Sequence, residues 1–67
     1  MLEIEVDREV DGRWIGEVPS LPGVLAYGST EAGARRRVSA LALHVIDDRI
    51  ERREPVPAEV RDLLAFA

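Results

Sequence analysis

The sequence contains no cysteine, no lysine, one histidine and only three aromatic residues among its 67 residues. Without cysteine, the chain has neither a disulfide framework nor a thiolate metal site. It also lacks a signal peptide and a long apolar run, which predicts a cytoplasmic protein with no membrane contact. A chain of this length forms one domain, 1–67, whose small core usually needs a metal, disulfides or a partner. We therefore expect a homodimer or larger homo-oligomer, or a bound partner protein.

The charge of the chain bears on its partners. The net charge is −4, whereas phosphate contacts need a positive surface. We therefore expect no direct nucleic-acid binding and interpret the arginines at 35–37 as surface charge. The single His44 has no nucleophile or second ligand beside it, which argues against catalysis or metal binding. No catalytic residue, cofactor or metal ligand is predicted.

The first ten residues alternate between apolar and acidic side chains. Such a period of two, with one charged side, is typical of a half-buried strand. The apolar members are Leu2, Ile4 and Val6, and the acidic members are Glu3, Glu5, Asp7 and Glu9. Asp11-Gly12 then predicts a hairpin turn, with 13–18 as the returning strand.

The parity of the two strands selects the turn. Their large apolar residues occupy even positions, and paired residues point to the same face. A three-residue loop over 10–12 satisfies this condition, with Gly12 in the left-handed conformation. It places Val6 opposite Gly16. A two-residue turn would place Val6 opposite Glu17 and bury a charge, so we reject it.

A turn and a third strand follow. Pro22-Gly23 predicts a type II turn, because proline fixes the first corner and glycine supplies the positive φ of the second. A short strand is expected over 24–27. Ser29 or Thr30 then caps a helix.

The helix is predicted from an apolar stripe at three- and four-residue spacing. Its members are Ala32, Ala34, Val38, Leu41, Ala42, Val45, Ile46 and Ile50. Glu31 with Arg35 and Asp48 with Arg52 form favourable i,i+4 pairs. The prolines in 54–57 end the helix. For the tail we favour a turn or short helix up to Asp62, followed by a strand over 63–67. A helix over 63–67 is the alternative. The sequence also leaves open whether this segment pairs within the subunit or across a dimer. The prediction is an α+β fold, β-β-β-α-β, with one long helix packed on one face of a small sheet.

The acidic residues of the first strand line one face of the sheet. Such a row is typical of a solvated face, but it also suits a basic partner protein. Ile15 shares this face by parity, and an apolar residue there favours a contact surface. Trp14 is expected in the core, and the hydroxyl of Tyr27 at the surface.

Two segments carry a resemblance to a known family. "DGRWIGEVPSLPGVLAYGSTEAGA" and the later "RIERREPVP" resemble the signature of HicB-like antitoxins, in which an aromatic-led strand precedes P-x-L-P-G, a short strand, G-x-T and a helix. The resemblance implies a partial RNase H-like fold, with the last strand beside the first. It also implies a protein that binds and neutralises a basic, mRNA-cleaving HicA-type ribonuclease toxin. Many members carry a further DNA-binding module, and we expect none in 1–67.

The candidate partner contacts combine the exposed sheet face with the loop of the signature. They are Glu3, Glu5, Asp7, Ile15, Leu21, Pro22 and Tyr27. The alternative function is an orphan homo-oligomeric domain with a regulatory or structural role and no toxin. A metal-dependent nuclease remnant that uses Glu5 and Asp7 is the third hypothesis, and the chain is not expected to be an enzyme.

Overall fold

The computed structural model describes residues 2–64. Its strands are β1 (Glu5–Arg8), β2 (Trp14–Glu17) and β3 (Leu25–Gly28), and its helices are α1 (Glu31–Glu51) and α2 (Ala58–Leu63). The described strands form an antiparallel sheet in the order β1-β2-β3, and α1 packs on one face of it. This arrangement confirms the α+β class, with one long helix on a small sheet.

The hairpin between β1 and β2 has the predicted register. Val6 lies opposite Gly16. The Glu9 N–H donates to the Arg13 carbonyl oxygen at 2.7 Å, and the Gly12 N–H donates to the Glu9 carbonyl oxygen at 3.0 Å. Gly12 has a φ of 92°, as a three-residue loop requires at its last position.

The loop between β2 and β3 consists of two successive turns. The Leu21 N–H donates to the Val18 carbonyl oxygen at 2.9 Å, and the Val24 N–H donates to the Leu21 carbonyl oxygen at 3.0 Å. Gly23 has a φ of 88°, which agrees with the predicted type II turn. Together the turns bring the Leu21 side chain under the sheet, where its exposed fraction is 0%.

Helix α1 approaches the sheet at two glycines. A Cβ added to Gly16 would lie 2.8 Å from Cγ1 of Val38, and one added to Gly28 would lie 2.8 Å from the carbonyl carbon of Gly33. Both glycines are on the face of the sheet that α1 covers. Any larger side chain there would push the helix away, so these positions set the distance between the two layers.

Both ends of α1 are capped. The Thr30 hydroxyl accepts from the Gly33 N–H at 2.9 Å, so Thr30, and not Ser29, is the N-cap. At the other end the Arg53 N–H donates to the Ile50 carbonyl oxygen at 3.1 Å, and the Glu54 N–H donates to the Arg49 carbonyl oxygen at 2.8 Å. This is a Schellman motif. It puts Arg53 at a φ of 58°, a conformation that favours glycine.

The core lies between the sheet, the loop and one side of α1. Four members of the predicted apolar stripe are buried in it, whereas Ala32, Leu41 and Ile50 are exposed. The buried apolar residues are Val18, Leu21, Val24, Ala34, Val38, Ala42, Ile46 and Val60. Leu2 and Ile4 pack against this core although β1 begins only at Glu5.

The tail differs in part from the prediction. Helix α2 includes Leu63, where the final strand was expected to begin, because Val60 packs into the core and holds 58–63 as a helical turn. Leu64 is extended. Residues 65–67, with Phe66, lie outside the described residues, and within 2–64 the sheet has no fourth strand beside β1. Neither described helix has the length and apolar character of a membrane span.

Candidate functional site

The odd-numbered strand residues form the face of the sheet opposite α1. We call this set the outer face, and its two cross-strand rows are Glu5–Glu17–Leu25 and Asp7–Ile15–Tyr27. Because side chains alternate along a strand, these residues point away from the glycines that meet α1. Neither described helix packs on this face of the sheet.

One half of the outer face is acidic. Glu5 and Glu17 are directly opposite each other on β1 and β2, and Asp7 follows on β1. All three carboxylates are exposed and line a shallow depression beside Ile15. None of them makes an ion pair within residues 2–64. Like charges directly opposite each other destabilise a sheet, so this arrangement carries an electrostatic cost in the free protein.

The other half of the outer face is apolar. Leu25 and Tyr27 on β3 are 41% and 37% exposed, and Ile15 on the central strand is half-buried between Asp7 and Tyr27. The exposure of Tyr27 agrees with the expected surface position of its hydroxyl. The acidic half and the apolar half therefore meet along β2.

Arg13 borders the apolar half at one end. Its Cζ lies 4.4 Å from the centroid of the Tyr27 ring, within the range of a cation–π contact. Its Nε donates to Oδ2 of Asp11 at 2.8 Å, and its backbone N–H donates to Oδ1 of Asp11 at 3.0 Å. The backbone hydrogen bond first, and the Arg13 guanidinium after it, hold the pKa of Asp11 below its ordinary value of 3.8. The hairpin turn thus orients Arg13 towards Tyr27.

The predicted contact residues fall into two groups. Glu5, Asp7, Ile15 and Tyr27 lie together on the outer face, while exposed Glu3 precedes β1 and exposed Pro22 lies in the loop. Leu21 was wrongly predicted as a contact residue. Its side chain is fully buried, because the two turns of the loop direct it into the core.

Two members of the outer face were not among the predicted contacts. Glu17 extends the acidic half, and Leu25 extends the apolar half. The signal for both was present in the sequence, since they have the same parity as Ile15 and Tyr27.

The other candidates do not assemble into a site. His44 is exposed on α1, and Arg35 is engaged by Glu31 at 3.6 Å. Trp14 is only half-buried and lies outside the core, with Cζ of Arg8 at 5.7 Å from its ring centroid. It was expected in the core, but it sits opposite Gly28 at the end of β2. Within 2–64, no three His, Asp or Glu residues are arranged to hold a metal ion.

The chain was compared with models of protein families, with curated proteins and with solved structures. None of the three comparisons finds a match.

Proposed function

We propose that this protein is a HicB-like antitoxin domain, which binds and neutralises a basic HicA-type ribonuclease with the outer face of its sheet. The observation that carries the proposal is the pairing of Glu5 with Glu17 beside an apolar patch of half-buried Ile15 and exposed Leu25 and Tyr27. An acidic row next to an apolar patch matches a partner surface that is basic and partly apolar. The resemblance in the Leu21-Pro22-Gly23 segment supplies the identity of the partner class.

The electrostatics favour binding over isolation. The carboxylates of Glu5, Asp7 and Glu17 lack a cation within residues 2–64. Arginine or lysine side chains of a ribonuclease would remove the repulsion between them. Complementary charge also accelerates encounter, and rapid capture suits an antitoxin.

The size of the outer face indicates how far the contact extends. Strands of four residues are about 13 Å long, and three neighbouring strands are about 14 Å wide, so the outer face has an area of about 200 Å². A stable interface needs about 800 Å² on each partner. The contact therefore extends beyond the strands. Exposed Glu3, just before β1, and exposed Pro22, in the loop between β2 and β3, are the residues that would extend it.

The mode of action is occlusion. The outer face contains carboxylates and apolar side chains but, within the described residues, no set arranged for metal-assisted hydrolysis. A domain of this kind inhibits by covering the RNA-binding surface of the toxin. The function is exercised in the cytoplasm, where the mRNA substrate of the toxin is found.

The test is co-expression of a tagged copy with the neighbouring open reading frame, followed by affinity purification and mass determination. We expect a small basic protein in stoichiometric complex, whose RNA cleavage is blocked in the complex and appears when it is released. If the tagged chain purifies alone, the antitoxin function loses its support and the alternative, an orphan homo-oligomeric domain, takes its place.

A further inference from the structure

The side of α1 that faces away from the sheet carries a second unpartnered surface. Its residues follow at spacings of four and three, which on a helix places them within an arc of about 80°. We call this set the helix stripe, and it consists of Arg36, Ala40, Leu43, Asp47 and Ile50. All five are exposed, and Leu43 has an exposed fraction of 66%. The buried residues of α1, such as Val38 and Ala42, lie on the other side of the helix.

The charges of the helix stripe differ from those beside it. Arg35 pairs with Glu31, and Asp48 pairs with Arg52 at 3.2 Å. In contrast, Arg36 and Asp47 make no ion pair in the described part of the chain. The exposed Leu43 therefore lies between an arginine and an aspartate that are both available to another molecule.

The order of these residues is self-complementary. The midpoint between Arg36 and Asp47 falls between positions 41 and 42, and the midpoint between Ala40 and Leu43 falls at the same place. A two-fold axis through this point would bring Arg36 of one copy to Asp47 of the other. It would also set each Leu43 against the small Ala40 of the partner. One axis satisfies the charge match and the size match together, as an isologous interface requires.

We propose that a second copy of this chain docks on the helix stripe, so that two α1 helices pack antiparallel in a homodimer. Small residues such as Ala40 let the helix axes approach to about 8–10 Å, where Leu43 fills the space above them. Ile50 extends the apolar contact at each end, close to Ala32 of the partner. The interface would enlarge the small apolar core of a short chain.

The dimer leaves the outer face of each sheet accessible. The sheet lies between the helix stripe and the outer face, so the two surfaces point in opposite directions. Self-association is therefore independent of toxin binding, and either property can be tested without the other.

The test measures the dissociation constant of the dimer by sedimentation equilibrium. It compares the whole unaltered chain with two variants in which one charge of the helix stripe is reversed. A monomer has a mass of 7.4 kDa, and the dimer has twice that mass. Arg36→Asp places Asp against Asp47 in both symmetric contacts, and Asp47→Arg places Arg against Arg36. Each variant alone is expected to raise the dissociation constant about tenfold, since two exposed pairs change from attraction to repulsion.

Mixing the two variants provides the decisive result. A mixed dimer of Arg36→Asp with Asp47→Arg has two opposite-charge contacts again, so an equimolar mixture is expected to regain the affinity of the unaltered protein. Arg37→Asp is the matched control, because it makes the same charge change on the same helix outside the stripe. Leu43→Arg is expected to abolish dimers, and circular dichroism checks that every variant keeps its helix.

Three results would overturn the proposal. The first is a monomer at protein concentrations of about 1 mM, where even weak association is populated. The second is a dimer that neither Leu43→Arg nor the charge reversals weaken, since its interface would then lie elsewhere. The third is a mixture of the two charge variants that stays as weak as either variant alone.

Discussion

Replacement of Gly28 by alanine tests the close packing of α1 on the sheet. The added Cβ would lie 2.8 Å from the carbonyl carbon of Gly33 and 2.9 Å from Cα of Ala34. These neighbours are backbone atoms of the first helical turn, so they cannot rotate away as a side chain could. Overpacking of this kind costs up to about 3 kcal/mol. Alanine also lowers the conformational entropy of the unfolded chain, which stabilises the folded state by up to about 1 kcal/mol. The expected net loss in the free energy of unfolding is therefore about 2 kcal/mol.

Alanine substitutions at two further glycines, Gly16 and Gly23, provide comparisons for the loss expected in Gly28→Ala. At Gly16 an added Cβ would lie 2.8 Å from Cγ1 of the buried Val38 and 3.0 Å from the carbonyl oxygen of Ala34, so Gly16→Ala is expected to cost at least about 1 kcal/mol. At Gly23 an added Cβ meets nothing within 4 Å, but the φ of 88° strains any L side chain. Gly23→Ala is therefore also expected to cost about 1 kcal/mol.

The assay is urea unfolding at a fixed protein concentration, with the free energy of unfolding taken from the midpoint and the slope. A domain of this size has a stability of only a few kcal/mol, so the loss in Gly28→Ala is a large fraction of the total. The reasoning is refuted if Gly28→Ala is as stable as the unaltered protein, or if it loses less than Gly23→Ala.

Three other changes probe single contacts. Arg53→Gly removes the backbone strain of a left-handed residue just after the end of α1, so it is expected to raise the free energy of unfolding by about 0.5–1 kcal/mol. This gain corresponds to a rise of about 4 °C in Tm, and an unchanged or lower Tm would contradict it. Thr30→Ala removes the N-cap and is expected to cost about 1 kcal/mol in urea unfolding, whereas Ser29→Ala should cost little; equal losses would argue against the assigned cap. Because folding lowers the pKa of Asp11, its ionised form stabilises the fold above pH 3.8, and this stabilisation is lost as pH falls through the lower folded pKa. The stability difference between the unaltered protein and Asp11→Asn should therefore shrink below pH 3.8, and a difference that does not change with pH would contradict the role of Arg13.

Local rules predicted the parts of the fold in which neighbours along the chain decide the conformation. Parity alone selected the three-residue turn that ends at Gly12 and the pairing of Val6 with Gly16. The positive φ of Gly23 followed from the needs of a type II turn. Helix capping and i,i+4 pairing are equally local, so Thr30 was one of two predicted caps.

The errors arose where distant contacts decide. Leu21 lies in a Pro/Gly loop, where exposed side chains are expected, but two successive turns direct its side chain into the core. Leu63 continues a helix because Val60 is drawn into that core. Arg53 takes a conformation that its side chain disfavours, since the Schellman hydrogen bonds outweigh the strain. None of these outcomes is visible in residue type or spacing.

The candidate site was predictable to the extent that it depends on alternation. Glu5, Asp7 and Ile15 were assigned to one face from their parity, and the same parity also applies to Glu17 and Leu25. The direct opposition of Glu5 and Glu17 follows from the predicted register as well. The cation–π contact between Arg13 and Tyr27 could not be predicted, because it depends on side-chain orientations set by the turn.

The most direct test of the outer face measures partner affinity after charge reversal. The complex from co-expression is compared with the double variant Glu5→Lys/Glu17→Lys and with the matched control Glu51→Lys/Asp62→Lys, which makes the same charge change on the two helices. If the outer face binds a basic toxin, the sheet variant should lose at least tenfold in affinity and should no longer block RNA cleavage, whereas the control keeps both. Equal affinities for the two variants would contradict the assignment of this face.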